Sequence, residues 1–376
     1  QPDAVHIQSH LLVGRVLVDE SKKRGIKTIA TNHTMPENLI RYSVRAPEFL
    51  ERPIMKFGWW DTGRVLKKMD KVTTPTRRAA DILERESGIS DVLAISCGID
   101  ASRFINDTPT SNENPRVLFV GRLDYEKRLD ILIRAIHALS QDIGVHLEIV
   151  GNGGERERLQ ELANKLGIAD RVHFLGFVSE EELPKAYERA TVFAMPSIAE
   201  LQSIATMEAM ASGRPVIAAN AMALPHLVHS GDNGYLYEPE DVEELTARLR
   251  DVLTADAEEL ERMSENSLHL IQAHDITNTL NIFENLYQGI GEFSPTTEDN
   301  LEVYDEPIGR LSENLRERLN AFRSSASELR GRMDEIRYGL RERLNEARGD
   351  IKEQFDGVRE DLNKARERFR SGDKDD

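Results

Sequence analysis

The sequence predicts an α/β protein built from two doubly wound, mostly parallel domains and ending in a long amphipathic helix. Three observations predict it. Short apolar runs of strand length alternate with helical patterns along most of the chain, the signature of parallel sheets covered by helices. The alternation pauses once, at the Thr-, Ser-, Asn- and Pro-rich residues 107–115, and then restarts, which gives two series rather than one. After about residue 292 the strands cease, and apolar residues recur at helical spacing almost to the end.

Composition narrows the function. The 39% hydrophobic and 31% charged residues suit a folded core with a charged exterior. A formal net charge of −17 argues against a general nucleic-acid binder, because neutralising phosphates takes clustered Lys and Arg. The single cysteine, Cys97, excludes an intrachain disulfide and a cysteine-rich zinc site, and fits a reducing cytoplasm. No run approaches the roughly 18 apolar residues that span a bilayer, so membrane contact is expected to be peripheral at most.

The first series opens with a strand at residues 3–8 and a helix at 11–24. The chain enters that strand almost at Gln1, as if in the middle of a sheet, so part of the first domain is expected to lie upstream. Residues 27–31 form the next strand, and a polar loop with Asn32 and His33 follows its carboxyl end. Ligands collect beyond the carboxyl ends of parallel strands, which makes His33 a candidate; a structural histidine in a turn is the equal alternative. Residues 52–69 form an aromatic helix with both tryptophans, Trp59 and Trp60. It reads either as a core helix or as a face for an acceptor or a membrane. A strand at 72–75, a helix at 77–87 capped by Thr76, a strand at 92–96 and a turn at Cys97, Gly98, Ile99 and Asp100 complete the series.

The second series has strands at residues 116–121, 146–150, 172–176, 192–195, 216–219 and 234–237. Helices are expected at 129–139, 155–166, 180–189, 241–253 and 258–274. Its organising stretch is 194–218: a short strand, a small-residue loop holding Glu200, a helix from about Ser203 carrying Glu208, and Gly213 as the stop. Glu200 lies just outside the helix and Glu208 about one and a half turns inside it, so both can reach one polyhydroxylated ligand. The free N–H groups of the first turn can hold an anion between them. Spacing alone favours the plainer reading, a capping glutamate and a surface glutamate.

Arg122 directly follows the strand that ends at Gly121, and Lys127 directly precedes a helix. Both cations therefore emerge at the carboxyl edge of the second sheet, where together they can neutralise a diphosphate. A loop containing Gly151 and Gly153 occupies the same edge of the neighbouring strand. No Asp-x-Asp cluster ends a strand and no His or Cys group has ligand spacing, so the sequence requires no metal.

These residues carry a resemblance. The run Val-Gly-Arg-Leu-Asp-Tyr-Glu-Lys-Arg at 120–128, Ile-Val-Gly-Asn-Gly at 149–153 and Phe-Leu-Gly-Phe-Val at 174–178 come first. Glu200 and Glu208 follow, then Ala-Met-Ala-Ser-Gly-Arg-Pro-Val at 209–216. In this order they resemble a family 4 retaining glycosyltransferase of the GT-B fold, over about residues 3–290 and most densely from 117 to 238. The resemblance implies two Rossmann-like domains. Residues 1–106 would be the remainder of an acceptor-side domain, 107–115 a linker and 116–274 the donor-nucleotide domain. Residues 275–293 would be a helix returning to the first domain, and 294–307 a second linker.

The resemblance also implies roles. Arg122 and Lys127 would hold the donor diphosphate, Glu208 the ribose, and Glu200 the hydroxyls of the sugar. Backbone at Phe177 and Val178 would meet the base, amides near Gln202 and Ser203 would hold sugar or phosphate, and His33 would face the reacting sugar. Gly121, Gly151 and Gly153 would line the donor, with His33, Arg122, Lys127 and Glu200 as the catalytic set. Ser203 stands where many relatives have glycine, and Cys97 where asparagine is commoner. The implied reaction is transfer of a hexose, mannose or glucose, from a GDP- or UDP-sugar with retention of configuration, GDP-mannose being one such donor. No bound cofactor is implied, and the acceptor would be a glycan or a lipid-linked sugar or glycolipid. A complete first domain would carry a further strand and Gly-rich loop before Gln1, so the chain as written is expected to show little or no transfer. A sugar-nucleotide epimerase on the same scaffold is the enzymatic alternative. A non-catalytic interaction protein working through its tail is the other.

The tail, residues 308–370, holds 16 Lys or Arg against 13 Asp or Glu beside a leucine-rich stripe. Related nonamers starting at Leu315, Leu340 and Val358 are offset by near-multiples of 3.6, so the stripe runs straight. It is expected either to self-associate with another helix or to lie on the inner face of a membrane.

Overall fold

The computed structural model describes residues 2–36, 48–105 and 108–290. The expected linker at 294–307 and the helical tail at 308–370 lie outside the described residues. Two all-parallel sheets form. The first holds β1 (Ala4–Ile7), β2 (Lys27–Thr31), β3 (Lys71–Thr74) and β4 (Leu93–Ala94) in sequence order. Between its strands run α1 (Leu12–Lys23), α2 (Glu48–Leu66) and α3 (Arg77–Ser87). The second holds β5 (Arg116–Val120), β6 (His146–Val150), β7 (Val172–Gly176), β8 (Val192–Met195), β9 (Val216–Ala219) and β10 (Gly234–Tyr237). Their order is β10-β9-β8-β5-β6-β7.

That order places a site. From β5 the chain winds outward through β6 and β7, then returns to the other side of β5 and winds outward through β8, β9 and β10. The loops after β5 and β8 therefore leave neighbouring strands in opposite directions and open a crevice between them, where ligands of doubly wound sheets bind. Arg122 is in the first loop and Glu200 in the second.

The helices of this half are α4 (Leu129–Leu139), α5 (Arg156–Lys165), α6 (Glu182–Glu188), α7 (Ile204–Ala211), α8 (Val242–Leu253) and α9 (Ala257–Leu270). Their boundaries follow local chemistry. Thr76 accepts from the Ala79 amide at 3.2 Å to open α3, and Gly88 closes it at φ 65°. Ser203 caps α7 and Asp241 caps α8 in the same way. The apolar strands are buried on both faces: Val117, Leu118, Phe119, Phe193 and Ile217 are each at most 1% exposed.

Three expectations are corrected. The helix expected at 258–274 ends at Leu270 in a tight turn, Ile271–His274, after which Asp275 starts α10 (Ile276–Gln288). Asp275 bridges Ile99 and its carboxylate accepts from the Thr277 amide at 2.7 Å, so pairing with a distant segment overrides the helical pattern. The aromatic helix expected at 52–69 begins earlier, at Glu48, and stops at Leu66. The strand expected at 92–96 shrinks to Leu93–Ala94, although the Ile95 amide still reaches Thr74.

The two halves meet at a double crossing. Ile99 donates to the His274 carbonyl at 2.8 Å, and Ile276 donates back to Ile99 at 3.1 Å. Gly98 sits there at φ 71°, and a Cβ would lie 2.9 Å from the Ile276 Cα. Beyond the crossing α10 packs on the first sheet, with Phe283 and Leu286 against Ile29, Leu93 and Ile95.

Candidate functional site

The loops at the carboxyl edge of the second sheet are fastened to one another by backbone. Leu123 donates to Asn152 at 3.0 Å, Glu155 to Leu123 at 2.9 Å, and Gly151 to Gly176 at 2.8 Å. Gly151 has φ 125°, and a Cβ on it would lie 1.9 Å from the Gly121 carbonyl oxygen. A Cβ on Gly153 would lie 2.4 Å from that of Leu123. In this structure the missing side chains of Gly151 and Gly153 admit the neighbouring loop, which sets the floor of the crevice.

The cations stand on that floor with carboxylate partners. Lys127 ends the short turn Tyr125–Lys127, and its ammonium pairs with the Glu200 carboxylate. Both side chains are mostly buried, 15% and 11% exposed, so neither charge is left to water. Arg122 reaches into solvent and pairs with Asp124 at 2.7 Å and Glu126 at 3.4 Å. Arg128, by contrast, is buried against Glu240, Asp130 and the Tyr125 ring and serves the fold. Glu126 is 5% exposed, and its Oε2 has no hydrogen-bond partner among the described residues. Its carbonyl accepts from the Ile198 amide at 3.0 Å, tying the loop after β5 to that after β8.

Glu208 lies in α7, where its Oε2 accepts from the Tyr187 hydroxyl at 2.7 Å. Burial raises the Glu208 pKa, while that hydrogen bond and the nearby Arg103 pull the other way. Ser203 is buried as the cap of α7, its Oγ accepting from the Thr206 amide at 3.3 Å. Phe177 leaves the end of β7 84% exposed, with Val178 half-buried beside it.

The first domain grips the Glu200 loop from the other side. Leu201 packs into the cluster of Met35, Trp59, Val72 and Leu83, and its carbonyl accepts from the Thr76 hydroxyl at 3.1 Å. The Gln202 amide bridges the crossing: its Oε1 accepts from the Cys97 amide at 2.7 Å and its Nε2 donates to Ser96 Oγ at 2.8 Å. Ser96 Oγ also meets His274 Nδ1 at 3.0 Å. Burial pushes the Cys97 thiol up to about 11 and lowers His274 to about 4, so both are neutral at pH 7.

His33 stands after β2, and its Nε2 meets Gln8 Oε1 at 2.6 Å rather than a residue of the second domain. His33 is an exposed residue, and partial burial of its ring lowers its pKa, so it is mostly neutral at pH 7. Gln8 in turn contacts His6, which meets Thr31 and the Tyr287 hydroxyl, both at 2.7 Å. The structure thus pairs Lys127 with Glu200, sets Arg122 earlier in the same loop against Asp124 and Glu126, and fastens Gly121, Gly151 and Gly153 to the neighbouring loops. Glu208 pairs with Tyr187 instead of sharing a partner with Glu200. Glu126, Tyr187 and Ser96 escaped the reading of the sequence, and Thr76 was read only as a helix cap. Only Glu126 had a local signal, its position between Arg122 and Lys127; the others act through long-range contacts. Among the described residues no group of three or more His, Cys, Asp or Glu is placed to hold a metal ion.

Residues 1–103 match the family described as Glycosyltransferase Family 4, and residues 100–269 match Glycosyl transferases group 1. An uncharacterized glycosyltransferase of Methanocaldococcus jannaschii is 35% identical over 138 residues, 37% of this chain and 35% of that protein. The sulfoquinovosyl transferase of Arabidopsis thaliana is 27% identical over 272 residues, 67% of this chain and 50% of its own length. The chain therefore spans a third to a half of these two relatives. Among solved structures, Anabaena HepE in complex with UDP-glucose superposes with a TM-score of 0.65 at 21% identity, covering 76% of this chain and 79% of that one.

Proposed function

We propose that this chain, which over residues 1–269 consists of glycosyltransferase domains of the GT-B kind, carries the donor side of a transferase that moves a hexose from a nucleoside-diphosphate sugar to an acceptor hydroxyl. One observation carries the reading: the Lys127–Glu200 pair, mostly buried where the winding of the strands reverses, with the accessible cation Arg122 in the same loop as Lys127. A diphosphate is the ligand whose charge suits two convergent cations, and a sugar is the ligand whose hydroxyls suit a carboxylate beside them. Anabaena HepE, which shares the fold, was solved with UDP-glucose, and this supports a nucleotide-sugar donor.

In this reading Lys127 and Arg122 take the diphosphate and Glu200 the sugar hydroxyls. Glu208, oriented by Tyr187, takes the ribose, while backbone at Phe177 and Val178 meets the base. Residues Gln202 and Ser203 shape the loop over the sugar, and Gly121, Gly151 and Gly153 let the backbone approach the donor. The bond from the anomeric carbon to the phosphate oxygen breaks as the acceptor oxygen bonds the same face. The leaving phosphate accepts the acceptor's proton, and the two cations stabilise the charge that develops on it. Configuration is retained without a carboxylate nucleophile, and neutral His33 hydrogen-bonds the reacting sugar. The hexose is glucose or mannose on UDP or GDP, and the acceptor is a glycan or a lipid-linked sugar.

Calorimetry with UDP, GDP and their glucose and mannose derivatives tests this. One nucleotide series binds, and Lys127→Ala weakens it by about 100-fold, as expected when one partner of a buried charge contact is removed. Failure of every nucleoside diphosphate to bind the purified chain overturns the reading.

A further inference from the structure

Helix α2 has two unlike faces. Its inner side buries Trp59, Thr62, Val65 and Leu66, with Trp59 in the same cluster as Leu201 of the donor loop. Its outer side carries Arg52, Lys56, Trp60 and Arg64 at four-residue spacing, which places them in one row. Phe57 stands beside the row, and Lys67 and Lys68 continue it past the helix end. Phe57 and Trp60 are 64% and 57% exposed, with ring centroids 5.6 Å apart, and the Arg64 guanidinium lies 5.2 Å above the indole. Arg64 shares Asp61, and Lys68 meets Asp19 at 2.6 Å. Arg52, Lys56 and Lys67 make no ion pair among the described residues. The helix's glutamates, Glu48 and Glu51, fall at its far end, more than two turns from Trp60.

We propose that this face of α2 docks on an anionic lipid bilayer. Five cations along one side, three of them without an ion pair among the described residues, on a chain with net charge −17, select a negatively charged partner. The aromatic pair selects a lipid surface over a soluble polyanion. The rings project from the helix, as side chains do that settle at headgroup depth, and the aliphatic stems of Lys and Arg flank them. Because Trp59 on the reverse side touches the core that holds Leu201, docking sets the donor loop's neighbourhood beside the membrane. The inference does not depend on the donor-site roles.

Trp59 and Trp60 are the chain's only tryptophans, so their fluorescence reports this helix and not the tail. The intact chain is mixed with vesicles of phosphatidylcholine alone, or of phosphatidylcholine with phosphatidylglycerol, some carrying brominated acyl chains. Expected are sedimentation with the anionic vesicles only, a blue-shifted emission, and quenching by the brominated chains that Trp60→Phe removes. Lys56→Gln with Lys67→Gln weakens partitioning by about 25-fold, at about fivefold per cation. The melting temperature stays unchanged, and the Arg replacements at both positions restore binding. Binding without tryptophan quenching overturns the proposal, because another segment then makes the contact. So does partitioning indifferent to the double variant, or a fluorescence response to heparin with none to vesicles.

Discussion

The two sheets are built by the same rule and present their loops differently. On the second, the loops after β5, β6 and β7 are hydrogen-bonded to one another, and Arg122 and Lys127 each have a carboxylate beside them. On the first, the loop after β2 offers His33 in a chain of side chains that ends on α10, and an edge strand, β1, beside a helix whose Val13 and Val16 are about 70% exposed. The difference teaches where chemistry is encoded. A site made within successive strand–loop–helix units is determined by neighbours in sequence, whereas one made where two domains touch depends on residues a hundred positions apart.

The largest effect expected from this contrast lies in the glycines of the second sheet. Gly151→Ala forces a Cβ to within 1.9 Å of the Gly121 oxygen at a φ of 125°, where L-residues are strained. Backbone has to move, so the cost is about 4 kcal/mol in urea unfolding. Gly154→Ala, three residues along the same loop, meets nothing within 4 Å and is expected to change stability by less than about 0.5 kcal/mol. Equal effects from the two would mean that the loops are not fastened together as described.

This difference also explains what could be read from the sequence. Both sheets were legible, because apolar runs such as Val117 to Val120 and Val192 to Met195 have no other way to be buried than inside a parallel sheet. Arg122, Lys127 and Glu200 were legible as candidates because each stands near a strand end or a helix start, and Glu208 because it follows Glu200 into the next helix. What was not legible is the partner each side chain chose. Nothing near Glu208 announces Tyr187, 21 residues earlier, and nothing near Gln202 announces Ser96, 106 residues earlier. The separate helix from 275 was expected, but the tight turn at Ile271–His274 was hidden for the same reason: helical periodicity continues through it up to the pairing of Asp275 with Ile99.

The crossing between the halves gives the second prediction. His274 titrates at about 4 in the folded chain against 6.5 in the unfolded one, because burial disfavours the imidazolium and His226 adds to the effect. Between these values the unfolded state binds more protons, so stability rises with pH across the window from 4 to 6.5 and is lost as pH falls through it. The loss is at most about 3 kcal/mol. Urea unfolding at pH 7 and pH 4.5 checks it, and His274→Gln should flatten the dependence. A wild-type slope that survives the substitution would assign the pH sensitivity to another group and leave the joint as insensitive as the loops of the second sheet.

The smallest effect bears on the pair at the centre of the site. In the free chain the Glu200 carboxylate pairs with the ammonium of Lys127, so a phosphate that meets Lys127 has to share or displace it. Glu200 therefore competes with an incoming diphosphate, and only a donor that gives the freed carboxylate a hydroxyl to hold compensates for the separation. Glu200→Gln removes the competing charge while keeping the shape. UDP or GDP without a sugar should then bind about tenfold tighter, a gain of about 1.4 kcal/mol, while the corresponding nucleotide sugar gains less, since an amide holds sugar hydroxyls more weakly than a carboxylate. Competition calorimetry with the two ligands measures the difference directly. If both ligands tighten equally, Glu200 serves only as a counterion to Lys127; if neither tightens, the pair is no barrier to the phosphate, and the selection of a sugar-bearing donor must come from the first domain's side of the cleft.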